Sequence, residues 1–270
     1  MEIYIDNFFN TTSTTGVRLN LPKFAKIISE SFFSSVSKKR RSLTDPVWRR
    51  ERIVGPTRSP KGPPVSADLQ YCPAKIDAVT QAHNQRTYVF SNEYVHQIYR
   101  DRDGLQQKSA FLITDMFDHG PRSVSAAFTN LKSAVTVLID QNTVYRYRWN
   151  KKIQRFYLAR KSPQKLDRNI TFTPRLAFQW SDGNMIISDG TYFSTYDPYW
   201  NVATFTGHTS DYFPGLPRNA IGLVHTSEET YLWLNERANV LVYNMKKFRI
   251  VQEYPLRISD YIACLSKRKL

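Results

Sequence analysis

The chain has five histidines, His83, His96, His119, His208 and His225, and these are the first residues to test for chemistry. A zinc peptidase helix needs His-Glu-x-x-His, which sets two imidazoles one turn apart beside a glutamate that acts as general base. None of the five is followed by Glu, and no two lie four residues apart. The sequence therefore assigns no catalytic zinc and no catalytic residue. Haem ligation needs a positioned axial ligand, and isolated histidines in β-rich sequence supply no reason to expect one.

The other residues able to do chemistry are cationic. Lys and Arg number 38 against 23 Asp and Glu, a formal charge of +15. Such a surface attracts polyanions, whether sulfated glycan, acidic protein, anionic lipid or nucleic acid. The charge is dense around Val144-Tyr145-Arg146-Tyr147-Arg148-Trp149. Strand alternation sends Tyr145, Tyr147 and Trp149 to one face and Arg146 and Arg148 to the other. Lys151, Lys152, Arg155, Arg160, Lys161 and Lys165 follow closely. The candidate binding set is Arg146, Arg148, Lys151, Lys152, Arg155, Arg160 and Lys161. It fits a cationic strip for a sulfated glycan or acidic protein. It also fits aromatic stacking of nucleic-acid bases, or a solvated sheet edge on which charge prevents edge-to-edge pairing.

These residues sit in a repeated framework. A tyrosine closes an apolar alternating segment at Tyr99, Tyr147, Tyr196 and Tyr243, at steps of 48, 49 and 47 residues. Each follows a hairpin pattern of two β-branched or aromatic runs around turn residues: Thr87–Phe90 to Tyr99, Val135–Ile139 to Trp149, Met185–Ile187 to Tyr196, and Tyr231–Leu234 to Tyr243. A further short apolar segment precedes each hairpin, at Ile76–Thr80, Ser125–Thr129, Leu176–Trp180 and Ala220–Val224. Four copies of at least three strands plus a variable outer piece, arranged radially, predict a small β-propeller. Residues 1–70 differ in texture. A short amphipathic helix is expected after Pro22, then the basic run Lys38-Lys39-Arg40-Arg41, then a segment with Pro56, Pro60, Pro63 and Pro64 that cannot pack a core. Most of this extension is expected to be disordered. No apolar run approaches the ~20 residues that span a bilayer. The chain's two cysteines, Cys72 and Cys264, are either buried thiols or one long-range disulfide.

The repeated segments resemble the hemopexin-like domain, the four-bladed propeller of hemopexin, vitronectin and the C-terminal part of matrix metalloproteinases. Asp77-Ala78-Val79 matches that family's blade opening, with looser counterparts at Ser125-Ala126-Ala127-Phe128, Arg175-Leu176-Ala177-Phe178 and Asn219-Ala220-Ile221. Thr209-Ser210-Asp211-Tyr212-Phe213-Pro214-Gly215-Leu216-Pro217 resembles its blade ending, echoed at Ile113–Phe117 and Ile258–Tyr261. The resemblance implies blades at about 76–122, 123–170, 171–218 and 219–265, within a domain of residues 71–265. It implies a Cys72–Cys264 disulfide closing the ring. It also implies a channel cation such as calcium, held by main-chain carbonyls at the blade openings, here Asp77, Ser125, Arg175 and Asn219.

Together these readings describe an all-β, four-bladed propeller acting as a non-catalytic extracellular recognition module. Its expected partners are matrix proteins, protease inhibitors or heparin-like glycans. Two alternatives stand beside it: the accessory C-terminal part of a matrix metalloproteinase whose catalytic domain is missing from this chain, and an intracellular basic protein that binds nucleic acid. The clasp calls for an oxidising compartment, yet MEIYIDNFFNTTSTTG has neither the basic nor the apolar region of a signal peptide. The two agree if Met1 is not the start of the native secreted product. Asn10 and Asn169 head glycosylation sequons, relevant to a secreted chain.

Overall fold

The computed structural model describes residues 62–68, 71–101, 104–225, 230–234, 240–254, 262 and 264. The helix expected after Pro22, the basic run at Lys38–Arg41, Asn10 and the Ile258–Tyr261 echo lie outside them.

Each copy of the repeat is an antiparallel meander of four strands. The first comprises β1 (Ala78–Gln81), β2 (Thr87–Ser91), β3 (Tyr94–Asp101) and β4 (Gly104–Leu112), followed by one helical turn, α1 (Ile113–Met116). The second comprises β5 (Ala126–Asn130), β6 (Val135–Asp140), β7 (Thr143–Asn150) and β8 (Arg155–Leu158). A short β9 (Gln164–Lys165) pairs back onto β7. The third runs β10 (Leu176–Gln179), β11 (Met185–Ser188), β12 (Tyr192–Asp197), β13 (Val202–His208) and then the turn α2 (Thr209–Tyr212). The fourth runs β14 (Ala220–His225), β15 (Thr230–Leu234), β16 (Val240–Asn244) and β17 (Arg249–Tyr254). The expected outer piece is thus a fourth strand, and the segments resembling a blade ending begin as helical turns.

The first strands meet around a central axis: β1 packs on β5 and β14, and β10 on β5 and β14. These strands are buried on both faces, which is why they read as unbroken apolar runs. Ala78 joins a core shared with blade 2 while its neighbour Val79 joins one shared with blade 4. Ala127 and Ala126 divide in the same way between blades 1 and 3. Cores therefore lie between blades, so one blade cannot bury its own faces. Close approach at the axis is fixed by Gly222, where β14 meets β10 in a single parallel pair with Ala177. A Cβ there would meet the Val79 carbonyl oxygen at 2.5 Å.

Among the described side chains, the repeated tyrosine is a blade-to-blade contact at Tyr147, Tyr196 and Tyr243. Tyr147 is fully buried and meets the Phe117 ring edge-on at 5.1 Å. Tyr196 meets Phe128 of blade 2 edge-on, and the Tyr243 hydroxyl donates to the Pro214 carbonyl. Phe117, just after a helical turn, is the reciprocal plug toward blade 2, whereas Phe213, after the equivalent turn, packs on strands of its own blade. Phe117 stacks on Phe156 at 4.5 Å, and Phe213 packs against Phe178, Trp180 and Phe193. The ring is closed by a Cys72–Cys264 disulfide, with Cα atoms 4.7 Å apart.

Candidate binding rim on blades 2 and 3

The alternation expected along β7 holds, but its two faces meet other blades. Tyr145, Tyr147 and Trp149 pack into the core shared with blade 1, and the Arg86 guanidinium lies over the Trp149 ring at 5.7 Å. Arg146 faces blade 3 and is only 7% exposed. Its Nη1 donates to the carbonyls of Pro198 at 3.0 Å and Tyr199 at 3.1 Å. Its Nη2 donates to the Lys161 carbonyl at 2.6 Å and to Gln164 Oε1. Burial lowers its pKa, opposed by the nearby Tyr196 and Asp197. Arg146 therefore leaves the binding set: it is a clasp between blades. Arg155 leaves it for the same reason. Its side chain is largely covered, donates from Nε to the Asp115 carbonyl, and lies 3.7 Å from the Asp115 carboxylate across the blade 1 seam. Sequence alternation gives the face a side chain takes but not the carbonyls that face meets.

The other candidates are on the surface. Arg148, Lys151, Lys152, Arg160 and Lys161 are all exposed. Arg148 donates to the Ser133 carbonyl and sits opposite the exposed Tyr157 in the β7–β8 ladder. Asn150 Oδ1 accepts from the Lys152 amide, shaping the turn that carries Lys151 and Lys152.

Two exposed aromatics adjoin this rim that the charge pattern alone does not show. Tyr199 and Trp200 occupy the β12–β13 turn, 72% and 44% exposed, with rings edge-on at 4.9 Å. The signal was available in Asp197-Pro198-Tyr199-Trp200-Asn201, where a turn bounded by Asp and Asn carries two large aromatics instead of polar residues. Asp197 Oδ1 accepts from both the Tyr199 and Trp200 amides. Asn201, at φ 56°, takes the Tyr196 hydroxyl on Oδ1 and donates from Nδ2 to the Lys165 carbonyl. Asp167 accepts from the Ala203 amide. The turn is thereby tied to residues 161–167 of blade 2.

At the blade openings, Asp77, Ser125 and Arg175 occupy equivalent places. Each donates its amide to the end of the second strand, at Phe90, Ile139 and Ser188. The Asp77 and Ser125 side chains also accept from the next turn, at Asn92 and Gln141. At the fourth opening the Ala220 amide, one residue after Asn219, donates to the Pro217 carbonyl. Among the described residues, no three His, Cys, Asp or Glu side chains are placed to hold a metal. His96 is buried, which lowers its pKa to about 4. It lines a cleft of about 250 Å3 beside the disulfide, with Tyr71, Pro73, Asn92 and Cys264. His225 bridges Thr230 and the Gln179 carbonyl of blade 3. Asn169 and Thr171 are exposed. Among the described residues, no helix is long and apolar enough to cross a membrane.

No model of a protein family matches the chain. Over 194 residues, 72% of this chain, the sequence is 31% identical to matrix metalloproteinase-C of Caenorhabditis elegans, and the chain spans 32% of that relative's length. Among solved structures it is similar to the hemopexin fold protein CP4 from cow pea (TM-score 0.56, 12% identity, 70% of this chain and 95% of that one). It is also similar to a plant albumin from Cicer arietinum showing hemagglutination (TM-score 0.55, 14% identity, 69% and 95%). At these identities the likeness to the two plant proteins is one of fold.

Proposed function

This chain carries a hemopexin-like domain, and from that premise we propose that it is a non-catalytic extracellular recognition module for polyanionic matrix components, heparin-like glycans above all. The observation carrying this reading is the exposed cationic rim of blade 2: Arg148 on β7, with Lys151, Lys152, Arg160 and Lys161 on the turns at either end of β8. Charges carried on a folded sheet and its short turns bind with less ordering cost than charges on an extended tail. The disulfide favours a secreted product, since such bonds persist in oxidising compartments. A channel cation such as calcium on the carbonyls of Asp77, Ser125, Arg175 and Asn219 belongs to the same reading. It is supported by the equivalence of the first three openings and by the preference of calcium for oxygen ligands.

The test is retention on immobilised heparin across a salt gradient. Replacing Arg148, Lys151 and Lys152 with Ser should lower the eluting salt more than replacing Lys38, Lys39 and Arg40. Equal or no loss would remove the assignment. A second reading follows from the metalloproteinase match, which covers only a third of that relative: the chain as the accessory C-terminal part of a zinc metalloendopeptidase. Reading the transcript upstream of Met1 for a His-Glu-x-x-His segment decides it.

A further inference from the structure

We propose that the seam between blades 2 and 3 is a sulfated-sugar site, with Tyr199 and Trp200 as the platform for a sugar ring and Lys161 and Lys165 as its sulfate contacts. The proposal rests on the recognition reading above and places its contact off the β7–β8 edge. Four observations converge on it. The first is exposure: Tyr199 and Trp200 stand in water at a turn, 72% and 44% exposed. Large aromatic rings bury much apolar area at small rotamer cost, so rings displayed on a surface suit contact with a partner.

The second is rigidity. Asp197 holds both amides of the pair, Asn201 ties the turn to the Lys165 carbonyl, and Asp167 takes the Ala203 amide. The turn is pre-organised, so binding need not order it. The third is the location of charge. Arg146 grips the Tyr199 and Lys161 carbonyls with one guanidinium, and Asn201 grips the Lys165 carbonyl. Lys161 and Lys165, both exposed, therefore project from backbone bonded to the aromatic turn, and Arg160 and Arg168 are exposed on the same segment. The fourth is ligand shape. A pyranose ring offers an apolar C–H face to an aromatic, and its sulfates offer oxyanions to ammonium groups. A small platform of two rings flanked by charge of one sign matches a sulfated oligosaccharide better than the broad apolar centre of a protein interface.

Arg146 is a positioning residue here, because it touches the turn's backbone and not the ligand.

The experiment uses the full chain with its disulfide intact and titrates three probes: a heparin hexasaccharide, the same sugar desulfated, and polyglutamate. Tyr199→Ala with Trp200→Ala should weaken the heparin probe about tenfold, leave its salt dependence unchanged, and leave polyglutamate binding near wild type. Lys161→Ser with Lys165→Ser should weaken it and flatten the salt dependence. Thermal unfolding is followed for each variant, and affinities are compared at a temperature where all variants are folded, so that lost contact is read apart from lost fold. If the aromatic pair changes heparin affinity less than twofold while the Arg148, Lys151 and Lys152 variant loses it, the platform is refuted and the recognition reading stands. If the wild-type chain does not bind heparin, both fall. If the aromatic pair weakens polyglutamate as much as heparin, the occupant is an acidic protein and the sugar site is refuted.

Discussion

Arg146→Ala separates a cation that holds the fold from one that meets a partner. The substitution removes donors to the Pro198, Tyr199 and Lys161 carbonyls and to Gln164 Oε1. Hydrogen bonds from a charged donor contribute roughly 1.5–3 kcal/mol each, and they do not add. Removing the buried guanidinium also ends its desolvation cost, the cause of its lowered pKa. The carbonyls left behind sit in a seam into which water enters poorly, so the net loss should be about 3–5 kcal/mol. For a domain of this size that lowers the unfolding midpoint by roughly 10 °C. Arg146→Lys should fall between, since one ammonium cannot reach all the acceptors of a planar fork. The assay is urea unfolding followed by tryptophan fluorescence, paired with heparin retention at a temperature where the variant stays folded. Arg148→Ser should show the reverse pattern, with unchanged unfolding and weaker retention. If Arg146→Ala unfolds within about 0.5 kcal/mol of wild type, the clasp is wrong. If it stays folded yet loses retention as Arg148→Ser does, its removal from the direct binding set is wrong.

The repeated tyrosines give a paired test. The Tyr196 hydroxyl donates to Asn201 Oδ1 at 2.6 Å, so Tyr196→Phe should cost about 1 kcal/mol. The Tyr147 hydroxyl is buried with no partner among the described residues, so Tyr147→Phe should be neutral or stabilising, and equal losses in urea unfolding would contradict this. Replacing Cys72 and Cys264 with Ser, whose bond closes a 192-residue separation, should cost about 5 kcal/mol in the chain-entropy model. A midpoint unchanged by the substitution or by reductant would count against ring closure by the bond. His96 is neutral in the fold because burial lowers its pKa to about 4, against an ordinary value of 6.5. The unfolded chain then binds more protons between these values, so this contribution is complete above pH 6.5 and falls away toward pH 4, by about 3 kcal/mol in all. His96→Gln should flatten the stability profile across that window, and a profile as steep as wild type would place the effect elsewhere.

The propeller was legible because its signals are enforced by burial. Inner strands such as Ala126–Asn130 and Leu176–Gln179 must be apolar on both faces, and the third-strand tyrosine must reach the next blade. The outer strands were harder to see. Along Val202–His208 burial is partial and mixed, so no clean alternation marks the strand. The candidate rim was half legible for a related reason. Arg146 and Arg148 are two residues apart on one face of β7, yet one ends buried among carbonyls of blade 3 and the other is exposed, bonded to the Ser133 carbonyl of its own blade. What separates them is a turn some 52 residues away in the chain, which no local pattern contains.

On the proposed reading, that distance couples stability to recognition at this seam. Among the described residues, strand pairing between blades 3 and 4 is a single parallel pair, Ala177 with Gly222, and side chains add His225 to the Gln179 carbonyl and Tyr243 to the Pro214 carbonyl. Polar joins between blades 2 and 3 must come from side chains, and a guanidinium reaching several carbonyls suits a seam where backbones approach without pairing. Arg146 holds the Tyr199 carbonyl while Asp197 holds the Tyr199 amide. The bonds that close the seam are thus the ones that fix the exposed aromatic pair. On the proposed reading, a substitution that loosens the seam should cost sugar affinity in proportion to the freedom it gives the turn, whereas one in the rings should cost more affinity than its effect on the unfolding midpoint accounts for.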